Sequence, residues 1–227
     1  MSWSDVRRGS MELLVQPRGG LTAELSRYAS MVVDKSVVFP VLFSGPHGTS
    51  KPVDRFGGIL IVVSGFGVAS AIPYSKKIIC GHLTCTSQVR RLHLVWQVDM
   101  IDEIKIAEES LNNILKDDIM EKGYILAISI YVKTGFGHNQ LPFGNNNRVC
   151  LYTGIPEPQA IVLGEMSAVW MTRSSNQRVA KGQLLVMVAA ADRLRDSVRD
   201  AVRRHVHQGV RFAELNYQPT GDDQGTV

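Results

Sequence analysis

Two glycines follow an apolar run in this chain. Gly65-Phe66-Gly67 comes directly after Ile59-Leu60-Ile61-Val62-Val63 and Ser64, and just before a stretch with helical spacing. Glycines at such a place let the backbone turn tightly and approach a phosphate. The N–H groups that open the following helix, from Val68 on, carry the partial positive charge that suits a pyrophosphate. The string reads GFGVAS, so Ser70 stands where G-x-G-x-x-G has its third glycine. It is the strand–turn–helix context that points to a phosphate-bearing ligand. A ligand-free turn between strand and helix is the alternative.

No Asp or Glu lies between Asp54 and Asp99, whereas Arg55, Lys76, Lys77, Arg90 and Arg91 fall in that interval. The acid that reads a ribose about 20 residues after the glycines is therefore missing. Basic residues in its place suit a 2′-phosphate, which points to NADP with NAD as the alternative. Asp99 closes the next apolar run, where a ribose would be read, although the cap of the following helix is its ordinary role. Gly45-Pro46-His47-Gly48 forms a second tight turn. Cys80 and Cys85, with His82 between them, lack the usual metal-ligand spacings. Cys150 reads as structural. No spacing specifies a Ser/His/Asp nucleophile.

These residues need a scaffold, and the hydrophobic pattern supplies one. Residues 11–15 read as a short strand. Thr22 opens a helix to Met31, and 37–43 read as an edge or irregular strand because of Pro40. The apolar runs 59–63, 92–98, 125–132 and 183–189 look like strands buried on both faces, and 210–217 read as a last strand. Helices are expected over 68–80 (with Pro73 in its first turns or at a kink), 99–121 and 193–206. The stripe of the second runs Ile101, Ile104, Ala107, Leu111, Ile114, Leu115, Ile119. That of the third includes Leu194, Val198, Ala201, Val202 and Val206, with its Arg and Asp residues forming a solvated, ion-paired face. Residues 133–158, rich in Gly, Asn and Pro, read as a long loop. Strands alternating with helices define an α/β protein: a mostly parallel sheet with helices on both faces. The domain boundaries expected are 1–50, 51–219 and a frayed tail at 220–227.

Length and composition set the outer limits. At 227 residues with 44% hydrophobic and 20% charged residues, the chain is ordinary for a globular protein. A net charge of +4 is too small to call for nucleic acid. Three cysteines make no disulfide framework and fit a reducing compartment. The longest unbroken apolar run, Leu184 to Ala191, is well short of a membrane span, and the first residues do not form a signal peptide.

Taken in order, several segments resemble the C-terminal, cytosolic part of fungal ferric reductases, relatives of the NADPH oxidases. SWS at 2–4 resembles the last strand of that family's flavin-binding barrel, and LLVQPRGGLTAEL at 13–25 the linker after it. SGPHG at 44–48 is similar to its G-P-aromatic-G turn. ILIVVSGFGVASAIPY at 59–74 is similar to its pyrophosphate strand and turn. LVWQVD at 94–99, ISIYV at 128–132 and VRDAVRRH…AELNYQP at 198–219 resemble its later strands and last helix.

The resemblance implies a ferredoxin-reductase-like nucleotide-binding domain on the cytosolic side of a plasma membrane. NADPH would pass hydride to FAD, and electrons would go on through haem in a membrane domain to ferric iron. Ser64, Gly65, Phe66, Gly67 and Val68 would take the pyrophosphate, with Asp99 nearby. Gly45 to Gly48 would lie at the flavin–nicotinamide junction, and Ala190, Ala191 and Asp192 would border the nicotinamide. The family's Cys-Gly-Pro at that border is replaced here by Ala190-Ala191-Asp192. The flavin motif and haem helices lie outside this sequence, so a flavin domain and a haem membrane domain of a parent protein are the implied partners. The competing expectation is a truncated or diverged, inactive remnant acting at most as a nucleotide-binding or interaction module.

Overall fold

The computed structural model describes residues 14–31, 38, 40, 50–119, 123–134, 143, 144, 146–174 and 183–215. The chain divides into two compact units, Met1–Thr49 and Ser50–Val227. In the first, helix α1 (Leu21–Met31) carries no buried residue. The Thr22 hydroxyl donates to the Gly19 carbonyl and accepts from the Arg18 N–H, stapling its start. Residues 14–15, expected in a strand, are irregular. The rest of that strand, the 37–43 segment apart from 38 and 40, and the whole Gly45–Gly48 turn lie outside the described residues.

The second unit is built on six strands: β1 (Gly58–Ser64), β2 (Arg91–Met100), β3 (Leu126–Thr134), β4 (Val149–Thr153), β5 (Leu184–Ala189) and β6 (Val210–Glu214). They lie in the order β4-β3-β2-β1-β5-β6, and every pairing is parallel. Side-chain alternation splits each central strand between two cores. Ile59, Ile61 and Val63 of β1 join Leu92, Leu94 and Trp96 of β2 beneath helices α2 (Val68–Leu83) and α3 (Lys105–Asp117). Leu60 and Val62 face the other way, toward helices α4 (Pro158–Ser174) and α5 (Asp192–Arg203). This is why β1 and β5 read as unbroken apolar runs. The fold is α/β, with a parallel sheet and helices on both faces.

Several sequence expectations are corrected. The expected 99–121 helix starts later, because β2 continues to Met100 and a single 3-10 turn (Ile101–Ile104) follows. It also ends earlier, at Asp117. The buried Asp118 carboxylate accepts the N–H groups of Ile125 and Leu126, which pulls the chain off the helical path and leaves Ile119 71% exposed. The expected loop 133–158 contains β4, a short strand hydrogen-bonded to β3 from Ile128 to Val132. Helix α4 follows it and was not anticipated. α5 stops at Arg203, so Val206 lies in a 3-10 turn and is 41% exposed instead of facing inward.

Candidate functional site

The glycine turn lies at the carboxyl end of β1, the position at which parallel α/β sheets bind ligands. The chain leaves β1 toward β2 on one side, while β5 lies on the other. The sheet order therefore reverses between β1 and β5, and it is beside such a switch point that open parallel sheets generally form a ligand crevice. Gly65, Phe66 and Gly67 make one turn of 3-10 helix that runs into α2 at Val68, whose N–H donates to the Gly65 carbonyl. Gly65 has φ +47°, a conformation that favours glycine. Gly67 has an ordinary φ of −56°, and its glycine identity has a different cause. A Cβ there would lie 2.0 Å from the Ala189 carbonyl oxygen. Gly67 is thus explained by close approach of the turn to β5, independently of any ligand.

Three contacts fix the turn. The Trp96 indole N–H donates to the Gly65 carbonyl at 2.9 Å. The Ala191 N–H donates to the Ser64 hydroxyl at 2.8 Å, joining the ends of β1 and β5. The Ser70 hydroxyl donates to the Gly67 carbonyl at 2.7 Å, so the residue in the third-glycine position ties the helix start back to the turn. Of the sequence-derived candidates, Ser64 to Val68 and Ala190 to Asp192 are thus brought together. Asp192 begins α5, pairs with Arg195 at 3.0 Å and keeps its side chain 87% exposed.

Asp99 sits elsewhere than its expected cap position. It lies within β2 and pairs with Lys133, while Met100 occupies the N-cap of the next turn. The charge argument also changes. Arg55, Arg90 and Arg91 lie just before or at the amino ends of β1 and β2, the opposite edge of the sheet from the glycine turn. Arg91 is taken up by Glu165 of α4, and the Arg55 guanidinium lies over Phe56. The carboxyl end of β2 instead carries Asp99, Asp102 and Glu103. A Glu103 carboxylate oxygen comes 3.9 Å from the position of a Gly65 Cβ, and its partner oxygen accepts the Met100 N–H. Sequence spacing missed Glu103 because it follows the acid-free interval. It missed the role of Trp96 because only the fold brings an indole to a carbonyl 31 positions away.

The three cysteines are free and exposed, including Cys150, which was read as structural. Among the described residues no group of three or more metal-ligating side chains forms. Likewise, no described helix is long and apolar enough to cross a membrane. A hollow lined by Asp118, Tyr124, Asn146 and Arg148 lies by the amino end of β3, away from the turn.

No protein-family model matches the chain, and no curated protein matches it. Among solved structures it is similar to the CS-b5R domains of human Ncb5or in the NAD+ form. That match has 15% identity and a TM-score of 0.47, and it covers 87% of this chain and 46% of that one. The chain therefore spans about half the length of that structure.

Proposed function

We propose that this chain is the pyridine-nucleotide-binding domain of a flavin-linked oxidoreductase. The observation that supports the reading most is the Gly65-Phe66-Gly67 turn at the carboxyl end of β1, beside the β1/β5 switch point. The backbone N–H groups of Gly65, Phe66 and Gly67 would take a diphosphate. Ser64 and Ala191 hold the two walls of the crevice together, and Trp96 holds the turn from below. The nucleotide, when bound, supplies the hydride, and this chain's share is positioning and electrostatics. The carboxylates at the end of β2, Glu103 above all, favour a dinucleotide without a 2′-phosphate. We therefore place NADH ahead of the NADPH suggested by the base-rich interval.

The finer reading is a ferric-reductase-like flavocytochrome, with FAD and haem held by other domains. It rests on the family resemblance of the motifs. Asp192 beside the crevice favours the alternative, a diverged remnant that binds nucleotide without transferring hydride. Calorimetric titration of the chain with NADH and NADPH tests the reading. Binding of NADH at micromolar to sub-millimolar affinity, tighter than NADPH, is expected. No heat with either at millimolar nucleotide refutes it.

A further inference from the structure

The face of the sheet beneath α4 and α5 is fully apolar only across β1 and β5. Toward β2, β3 and β4 the same face also carries polar residues: Arg91 and His93 flank the buried Val95, and Ser129 faces Cys150 and Tyr152 of β4. Glu165 of α4 reaches down to this region and is 4% exposed. Its carboxylate accepts from Arg91 Nε at 2.6 Å and from Arg91 Nη2 at 2.9 Å, and it meets His93 Nδ1 at 2.8 Å. On the far side of the ring, His93 Nε2 lies 2.8 Å from the Ser129 hydroxyl. Burial pushes the Glu165 carboxyl up, but hydrogen bonds from His93 and Arg91 and their charges outweigh it and hold it at about 2. An ionised Glu165 only accepts, so Nδ1 carries a proton. With the ring neutral, as activation of a nucleophile requires, Nε2 is bare and accepts the Ser129 O–H.

Serine, imidazole and carboxylate thus stand in one line, each within hydrogen-bond reach of the next and with the carboxylate clamped by a guanidinium. These are the distances and roles of a nucleophile, a general base and its orienting group. Cys150 pairs with Ser129 in register, and the Tyr152 phenol lies against both. Cys150 and Tyr152 are exposed, so the approach is from the β4 side, over the stacked rings of Tyr131 and Tyr152, whose centroids are 4.9 Å apart.

We propose that Ser129, His93 and Glu165 form a second site, separate from the glycine turn, that accepts acyl groups from activated esters. The Ser129 oxygen attacks the ester carbonyl carbon as its proton passes to His93 Nε2. The carbonyl electrons move onto oxygen, where the Tyr152 hydroxyl donates to the oxyanion. The C–O bond to the alcohol breaks, and His93 returns the proton to the leaving oxygen. Water then enters by the same steps in reverse, which releases the acid and restores Ser129.

The test uses the full chain with an alkyl fluorophosphonate, which forms a Ser–P bond with loss of fluoride, and p-nitrophenyl acetate as the ester. Peptide mass spectrometry is expected to place the adduct on Ser129 at pH 8. Ser129→Ala and His93→Gln are expected to lower ester turnover about 100-fold or more while keeping a cooperative thermal transition. The wild-type chain decides the matter even if a variant fails to fold. An unmodified Ser129 under excess probe, an adduct on Cys150 or Tyr152 instead, or turnover unchanged in folded Ser129→Ala overturns the proposal.

Discussion

Replacing Gly67 by Ala is expected to destabilise the protein, while the same change at Gly164 stabilises it. Gly164 lies inside α4, where alanine gains up to about 1 kcal/mol on propensity, whereas Gly67 is the N-cap of α2, where alanine gains nothing. The surroundings differ. A Cβ at Gly164, on the solvent side of α4, meets nothing within 4 Å. A Cβ at Gly67 would lie 2.0 Å from the Ala189 carbonyl oxygen and 3.1 Å from its carbon. Both atoms belong to the backbone of β5, which pairs with β1 from Gly58 to Val63 and cannot swing aside like a flexible side chain. Relief needs α2 and β5 to separate by about 1 Å, which costs roughly 1–3 kcal/mol in a packed interior. At ~2–4 °C per kcal/mol for a domain of this size, a melt should show Gly67→Ala about 2–12 °C lower. Gly164→Ala should melt about 1–4 °C higher, from a gain of ~0.5–1 kcal/mol. A Gly67→Ala protein that melts at or above the parent would refute the close approach of the turn to β5.

Two further outcomes follow from buried carboxylates. Glu165 is held at about 2 in the folded protein against 4.5 for a free carboxyl. The unfolded chain therefore binds more protons between those values, and stability rises with pH across that window. The contribution, of order 3 kcal/mol, is fully present above about pH 4.5 and lost as the pH falls through about 2. Urea melts of Glu165→Gln should show a flatter acid limb, and a limb as steep as the parent's would contradict the assignment. Asp118→Ala removes the acceptor of the Ile125 and Leu126 N–H groups and the carboxylate partner of Arg148. A loss of roughly 3–5 kcal/mol in chemical denaturation is expected, as for a broken buried pair, and a loss below about 1 would refute it.

What could be read from the sequence follows from how locally each feature is encoded. β1 and β5 were legible because burial on both faces makes their runs continuously apolar. The ion-paired face of α5 was legible because Arg195, Arg199 and Arg203 each find an acid three residues earlier, at Asp192, Asp196 and Asp200. β4 was not legible. It is an edge strand with Cys150 and Tyr152 exposed, and its register comes from β3 rather than from its own pattern. α4 was missed because exposed Leu163, Trp170 and Met171 and buried Glu165 blur the stripe of Val162, Met166 and Val169 that it does bury. At the site, the glycine turn was readable from its context. Glu103 and the Ser129–His93–Glu165 line were not, since their partners come from separate elements.

The hydrogen bond from Ala191 to Ser64 joins residues 127 positions apart, across the strand that closes the crevice. On a ribosome the glycine turn emerges long before β5 exists. At about 5–20 residues per second, the nascent chain spends roughly 6–25 seconds with the turn made but its second wall untranslated. Throughout that interval β1 offers an unpaired edge of Ile, Leu and Val. The crevice is therefore among the last features of the sheet to form, and its completion reports that synthesis has passed residue 191.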